Sequence, residues 1–248
     1  MTEAPRTSAT PVALVHGVGF GPSTFARVAR ALWRAGPVLV VERRGYGTRA
    51  GQPPPDRVED HVADLLAALD AAGIERAIVA GSSGGATIAL AAALTAPDRV
   101  EAAVAHEPAV GSLSPELLAL IRTSVRSGGT TLVRALAGPL TWACLTDGER
   151  AALASCADLV AADARAYLAW EPPLDRAGEP APVITTVGQR SAPLRHAIAA
   201  ALHDRIGARV VVIEDCGHLV QLDAPAAFAA TISASAAVPA VGATSSTA

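Results

Sequence analysis

Short apolar runs alternate along this chain with amphipathic stretches. The runs at 12–15, 38–41, 77–80, 100–105, 183–187 and 209–213 are β-branched or aliphatic residues, broken only by Glu101 and Arg209. Such runs predict strands covered on both faces. Between them, apolar positions recur with helical spacing at 23–35, 57–72, 85–95, 193–206 and 225–233. Asp56 is placed to cap the second of these helices, and Gly73 follows its last turn. Strand and helix in strict alternation predict an α/β fold with a doubly wound, mostly parallel sheet.

One stretch breaks the alternation. Residues 111–180 carry helical patterns and no strand pattern: Ser114-Pro115-Glu116 opens one helix, Thr146-Asp147-Gly148-Glu149 another, and Glu171-Pro172-Pro173 stops the last. The organisation expected is a core of 1–110 and 181–235, a helical cap at 111–180 inserted over the carboxyl edge of the sheet, and a disordered tail at 236–248, which is rich in Ala, Ser and Thr.

Composition narrows the chemistry. The 248 residues carry 20 basic and 23 acidic side chains, a formal net charge of −3, so no basic face suggests nucleic acid. Every basic residue is an arginine. Without lysine there is no Schiff base, pyridoxal anchor or P-loop lysine. No run approaches the roughly 18 apolar residues of a membrane span, and the polar first ten residues lack a signal-peptide core, so a cytoplasmic protein is expected. Cys144, Cys156 and Cys216 form no C-x-x-C pair, and the six histidines show no metal-ligand spacing; neither a metal nor another cofactor is expected.

The strand at 77–80 runs into Gly81-Ser82-Ser83-Gly84-Gly85 and then a small-residue helix. This is G-x-S-x-G in a strand–turn–helix setting, which would expose the Ser83 hydroxyl on a strained turn at the sheet edge. After the first strand comes His16-Gly17-Val18-Gly19-Phe20. A tetrahedral oxyanion needs two convergent N–H donors, and Gly84 and Val18 are the candidates; His16 is read as a structural loop histidine. After the last strand, Glu214-Asp215-Cys216-Gly217-His218 places a histidine that can reach across to Ser83 as its base.

With His16-Gly17, Glu42-Arg43-Arg44-Gly45-Tyr46-Gly47, Gly81 to Gly85, and Gly217-His218 followed by Pro225 and Phe228, the chain resembles the α/β-hydrolase-fold family, and within it the capped serine hydrolases. The resemblance spans nearly the whole chain and implies a sheet shortened to about six strands. It includes esterases, C–C bond hydrolases and haloperoxidase-like enzymes. Serine at the elbow argues against the dehalogenase and epoxide hydrolase branches, which use aspartate there.

The chain departs from the family at the acid. The family's G-x-x-D turn reads Gly188-Gln189-Arg190-Ser191 here, and serine cannot hold an imidazolium by charge. A second location known in the fold follows the preceding strand, where His106-Glu107-Pro108 stands. Proline disfavours helical backbone at Glu107, so an extended Glu107 is expected to orient His218. Asp215, or no acid, is the alternative. Arg43 and Arg44 are read as ion-paired or solvated rather than as an anion clamp, and the cysteines as packing residues. Phe20, Tyr46, Trp142, Tyr167 and Trp170 either line an apolar pocket under the cap or, for the last three cap aromatics, form the cap's own core.

The expected protein is therefore a hydrolase of a small, largely apolar ester, thioester or lactone. The alternatives are a C–C bond hydrolase, a lyase or cyclase on the same site, or a ligand-binding protein without turnover. No membrane or nucleic-acid partner is expected, and the sequence sets no oligomeric state.

Overall fold

The computed structural model describes residues 9–127, 131, 134, 139, 142–155, 157–175 and 179–236. Six parallel strands form one sheet in the order β2-β1-β3-β4-β5-β6: β1 (Val12–Val15), β2 (Val38–Val41), β3 (Ala77–Ser82), β4 (Val100–His106), β5 (Val183–Gly188) and β6 (Arg209–Ile213). Each predicted run is a strand, with β3 two residues longer than expected and β4 and β5 one. The sheet reverses its order outward from β1 and β3, and loops at the carboxyl ends beside such a reversal are where open α/β sheets bind ligands.

The alternation of side chains divides the core into two layers. Ala13, Val15, Ala77 and Val79 face a cluster built by α2 (Val58–Ala71), α3 (Gly84–Thr95) and α7 (Pro193–Ile206). Val12, Leu14, Ile78 and Ala80 face Phe25, Val28 and Leu32 at α1 (Ala26–Leu32), and Phe228 and Ile232 of α9 (Pro225–Ser235). Burial of both faces explains why β1, β3, β4 and β5 read as nearly unbroken apolar runs; β6 departs from the expectation, because as an edge strand it leaves Val210 and Val212 39% and 51% exposed. Buried residues run almost the full length of α3 and are nearly all small, so strand and helix backbones come close together.

Two local expectations are corrected. The first predicted helix opens as a 3-10 turn at Pro22–Phe25 and ends at Leu32, where Ala35 N–H bonds to Leu32 O and turns the chain towards β2. Asp56 does not cap α2: Arg57, extended at φ −131°, holds the N-cap position without a side-chain cap bond. The Asp56 carboxylate is thus one residue too early to meet the free N–H groups, and it lies 4.0 Å from Arg165 instead. Glu59 and Asp60 supply negative charge to the first turn. Gly73 ends the helix as expected, at φ +67°.

Between β4 and β5 the described elements are helical: a 3-10 turn at Gly111–Leu113, then α4 (Pro115–Ser127), α5 (Asp147–Ser155) and α6 (Ala157–Leu168). Ser114 Oγ accepts Leu117 N–H at the start of α4. At α5, Thr146 Oγ1 accepts Glu149 N–H while Glu149 accepts Thr146 N–H, a reciprocal capping box. Helix α8 (Val220–Asp223) follows the last strand. The tail expected at 236–248 lies outside the described residues beyond Ala236, as does Cys156.

The tightest backbone contact is that of Gly85, where an added Cβ would lie 2.1 Å from Val15 O and 2.7 Å from His16 O. Neither backbone atom can move without displacing β1. Gly85→Ala is expected to lower the free energy of unfolding by about 1–3 kcal/mol or more, read as a shifted urea midpoint.

Candidate active site

The chain passes from β3 into α3 through one residue, Ser83, at φ 55° and ψ −121°. Non-glycine residues hold such a conformation only when the surroundings impose it, at a cost of about 1–3 kcal/mol. Ser83 N–H donates to His106 O at 2.9 Å, and Ser83 O accepts Thr87 N–H at 3.0 Å. A Cβ on Gly81 would lie 2.4 Å from Gly85 C, so only glycines let the turn close.

Glu107 ends the neighbouring strand and is 2% exposed. Its φ is +49°, so the extended backbone expected from Pro108 is not what forms. Glu107 N–H still bonds to Thr186 O at 3.0 Å, continuing the β4–β5 ladder, and the chain then turns left-handed within that residue. The carboxylate is caught on both oxygens: Gly188 N–H donates to Oε1 at 2.9 Å and His218 Nδ1–H to Oε2 at 2.6 Å. Asp215 points away, its side chain 95% exposed and 3.9 Å from Arg190.

His218 hangs from a loop that packs on Gly188, where a Cβ would lie 2.5 Å from Cys216 O. His106 Nε2–H donates to Gly217 O at 3.1 Å, and His106 O accepts from Ser83 N–H. One buried residue thereby bridges the backbones that carry Ser83 and His218. His218 Nε2 is buried with no hydrogen-bond partner, so Ser83 Oγ is not bonded to it.

Burial sets the protonation states. It works against charge on Glu107, but the neighbouring His106, the hydrogen bond from His218 and the Arg195 guanidinium outweigh it and hold the carboxyl well below its usual range. Burial pushes His106 down to about 4, so at neutral pH this ring is uncharged and Thr186 Oγ1 bonds to its Nδ1. Burial, then the Arg195 charge, also lower His218 despite Glu107. A neutral His218 with Nδ1–H on the carboxylate keeps its Nε2 lone pair free.

The loop after β1 lies against the elbow: a Cβ on Gly17 would be 3.2 Å from Ser83 Cβ, and one on Gly84 would be 3.0 Å from Val18 Cγ2. Arg43 Nη1 donates to both His16 O and Gly17 O at 3.3 Å, and Gly19 N–H donates to Tyr46 Oη at 2.9 Å. Val18 N–H, between these anchors, has no partner among the described residues, and the same holds for Gly84 N–H at the start of α3. His16 is buried and neutral, pushed down to about 3 by burial and by Arg43.

Arg43 and Tyr46 are themselves anchored to α6. Arg43 Nη2 pairs with Asp163 and donates to Tyr167 Oη at 3.0 Å, while Tyr46 donates to Asp163 Oδ2 at 2.9 Å. Arg43 is therefore ion-paired as expected, though buried; Arg44 pairs with Asp64 at 2.6 Å nearer the surface. The sequence reading did not single out Asp163, His106 or Arg195. A lone acid within a mostly apolar helix, a histidine ending a strand and a basic residue near a helix start resemble ordinary solvated positions.

The five candidate aromatics separate. Tyr167 borders a cavity of about 20 Å³ that also touches Ser83, Gly84 and Val18. Phe20 and Tyr46 line a pocket of about 370 Å³ with Leu145, Leu159 and Leu222. That pocket shares Ser23, Thr24 and Glu149 with an outer cleft of about 610 Å³ that reaches Arg27 and Arg190. Trp170 is buried in the main core cluster and Trp142 packs half-buried against it.

Strand order, elbow and the buried Glu107–His218 contact define a hydrolase architecture. The chain belongs to the alpha/beta hydrolase family, whose model matches residues 12–231. A protein of Caulobacter segnis named "Putative carbamate hydrolase RutD" is 36% identical over 91 residues, 36% of this chain and 34% of that one. A protein of the same name from Azorhizobium caulinodans is 34% identical over 91 residues, 37% of this chain and 34% of that one. The chain thus matches about a third of the length of these curated relatives. Among solved structures, the enol-lactonase of Burkholderia xenovorans shares the fold at TM-score 0.72 and 21% identity, over 94% of this chain and 93% of that one. A thermophilic esterase of Thermogutta terrifontis does so at TM-score 0.71 and 21% identity, over 91% and 88%. Among the described residues no group of three His, Cys, Asp or Glu could hold a metal ion, and no helix is long and apolar enough to cross a membrane.

Asp163 is sealed from solvent opposite the Arg43 charge. Asp163→Ala would leave that charge buried and unpaired, so a loss of about 3–5 kcal/mol in unfolding free energy is expected from denaturant titration.

Proposed function

We propose that the chain is a serine hydrolase that cleaves an ester, thioester or lactone bond of a small, largely apolar molecule. The observation that carries this reading is the His218 ring: Nδ1 is tied to a buried carboxylate and Nε2 is free, beside a strained serine elbow. Ser83 Oγ attacks the carbonyl carbon as His218 Nε2 takes its proton. The tetrahedral oxyanion is held by the Val18 and Gly84 N–H groups. His218 returns the proton to the leaving alcohol or thiol as the C–O or C–S bond breaks, and water, activated by the same ring, releases the acid. Glu107 orients the ring and balances its transient charge. Ser83 Oγ and His218 Nε2 are not bonded here, and such contacts commonly tighten only when substrate binds. In this reading residues 111–180 act as a cap, with Tyr167 over the elbow and the pocket of Phe20 and Tyr46 receiving apolar substrate. No cofactor takes part.

The deciding experiment is covalent labelling with a fluorophosphonate together with nitrophenol release from short-chain nitrophenyl esters. Both are expected in the wild type and neither in Ser83→Ala. Labelling without ester turnover would point instead to C–C bond hydrolysis or to lyase or cyclase chemistry, and neither signal to a binding protein. The name carried by the curated relatives adds a nitrophenyl carbamate to the panel.

Glu107→Gln keeps the shape but not the charge that orients His218. It is expected to lower kcat by about 10²-fold or more with the fold intact, because loss of a triad acid can cost about 10⁴-fold; a near-normal rate overturns the assignment.

Because burial and Arg195 lower His218, the acid limb of kcat/KM is expected to have its midpoint below the ordinary histidine value of about 6.5. Activity is full above the folded-state value and lost as pH falls through it. A midpoint above 7 contradicts His218 as the base.

A further inference from the structure

The wall around Ser83 carries more hydrogen-bond donors than one oxyanion can take. Beyond the Val18 and Gly84 N–H groups, Arg195 and Tyr167 border the same small cavity. Arg195 is 5% exposed. Its Nη1 donates to Glu107 O at 3.4 Å, and its Nε lies 3.7 Å from Glu107 Oε2, outside hydrogen-bond reach. Nη2 has no partner among the described residues.

The reason lies at Glu107, whose two carboxylate oxygens are already turned to Gly188 N–H and His218 Nδ1–H. Tyr167 is in a related position. Its oxygen accepts from Arg43 Nη2, which can only donate, so the phenolic proton has no acceptor among the described residues. The rest of the wall is apolar, including Ala109, Leu117, Ile121 and Ala164. A guanidinium this deep and this loosely paired is costly to bury. A ligand that brings anionic oxygen recovers that cost.

We infer that the site is built for an acyl group bearing its own carboxylate, received by Arg195 Nη2 and the Tyr167 hydroxyl while the scissile carbonyl meets Ser83. The inference rests on the hydrolase reading and adds a substrate class: half-esters of short dicarboxylic acids, with an apolar alcohol side. Ser83, Tyr167 and Arg195 border one small cavity, so a short linker between the carboxylate and the scissile carbonyl fits the site.

The test compares two esters that differ only in charge, monomethyl succinate and its neutral amide methyl succinamate, by pH-stat on the whole chain. The wild type is expected to favour the anionic ester at least about tenfold in kcat/KM, the scale of a charge-assisted hydrogen bond. Arg195→Met and Tyr167→Phe are expected to bring that ratio towards one, mainly through KM. Equal rates, or preference for the amide, in the wild type overturn the inference, and that comparison stands even if Arg195→Met does not fold.

A measurement without turnover separates this claim from the hydrolase reading. Ser83→Ala protein, titrated calorimetrically with monomethyl succinate and with neutral methyl succinamate, is expected to bind the anion at least about tenfold more tightly. Discrimination there, with neither fluorophosphonate labelling nor ester turnover in the wild type, keeps the anion site and refutes the hydrolase. Cleavage of both esters, with no discrimination in either assay, refutes the anion site and keeps the hydrolase.

Discussion

A carboxylate shut away from water must find its partners within the fold, and at Glu107 two donors and a nearby positive charge come from three separate parts of the chain. Gly188 at the end of β5, His218 after β6 and Arg195 on α7 all converge on a residue that closes β4. Each is useful only if the other two are in place, because a buried charge with one partner missing costs several kcal/mol. This shared dependence fixes the carboxyl edge of the sheet, and the position of the His218 ring follows from it. The left-handed backbone at Glu107 is part of the same arrangement: the turn carries the carboxylate between Gly188 and His218.

The loop after β1 is held in a comparable way, with its anchors outside the loop. Arg43 takes two successive carbonyls, His16 O and Gly17 O, and Tyr46 takes the Gly19 N–H. What remains between them is the Val18 amide. A loop whose polar groups are mostly spoken for has few alternative shapes, which is what electrostatic preorganisation requires.

Much of this was legible from residue order. Strands covered on both faces leave a strong signal in nearly unbroken apolar runs, and the glycines flanking Ser83 mark a turn that no other residue type fits. Glu107 stood out because the family's usual acid position holds Ser191, and the structure puts its carboxylate on His218. Its backbone was misjudged, because Pro108 excludes only the right-handed helix and tertiary bonds chose the left-handed alternative over extension. Asp56 failed as a cap for a similar reason: a one-residue shift in helix start is invisible in periodicity. Asp163, His106 and Arg195 left no trace, since their meaning arises from partners as distant in sequence as Arg43 and Gly217.

The buried pairing of Arg43 with Asp163 also bears on how a molecule can approach Ser83. Lifting α6 off the sheet would pull a guanidinium and a carboxylate apart in a dry interior and break the Tyr46 and Tyr167 contacts with them. Among the described residues, α4 meets the same cavity through Leu117 and Ile121. Of the two helices that border the cavity beside Ser83, α6 is thus tied down by buried charge and α4 meets the cavity through aliphatic side chains.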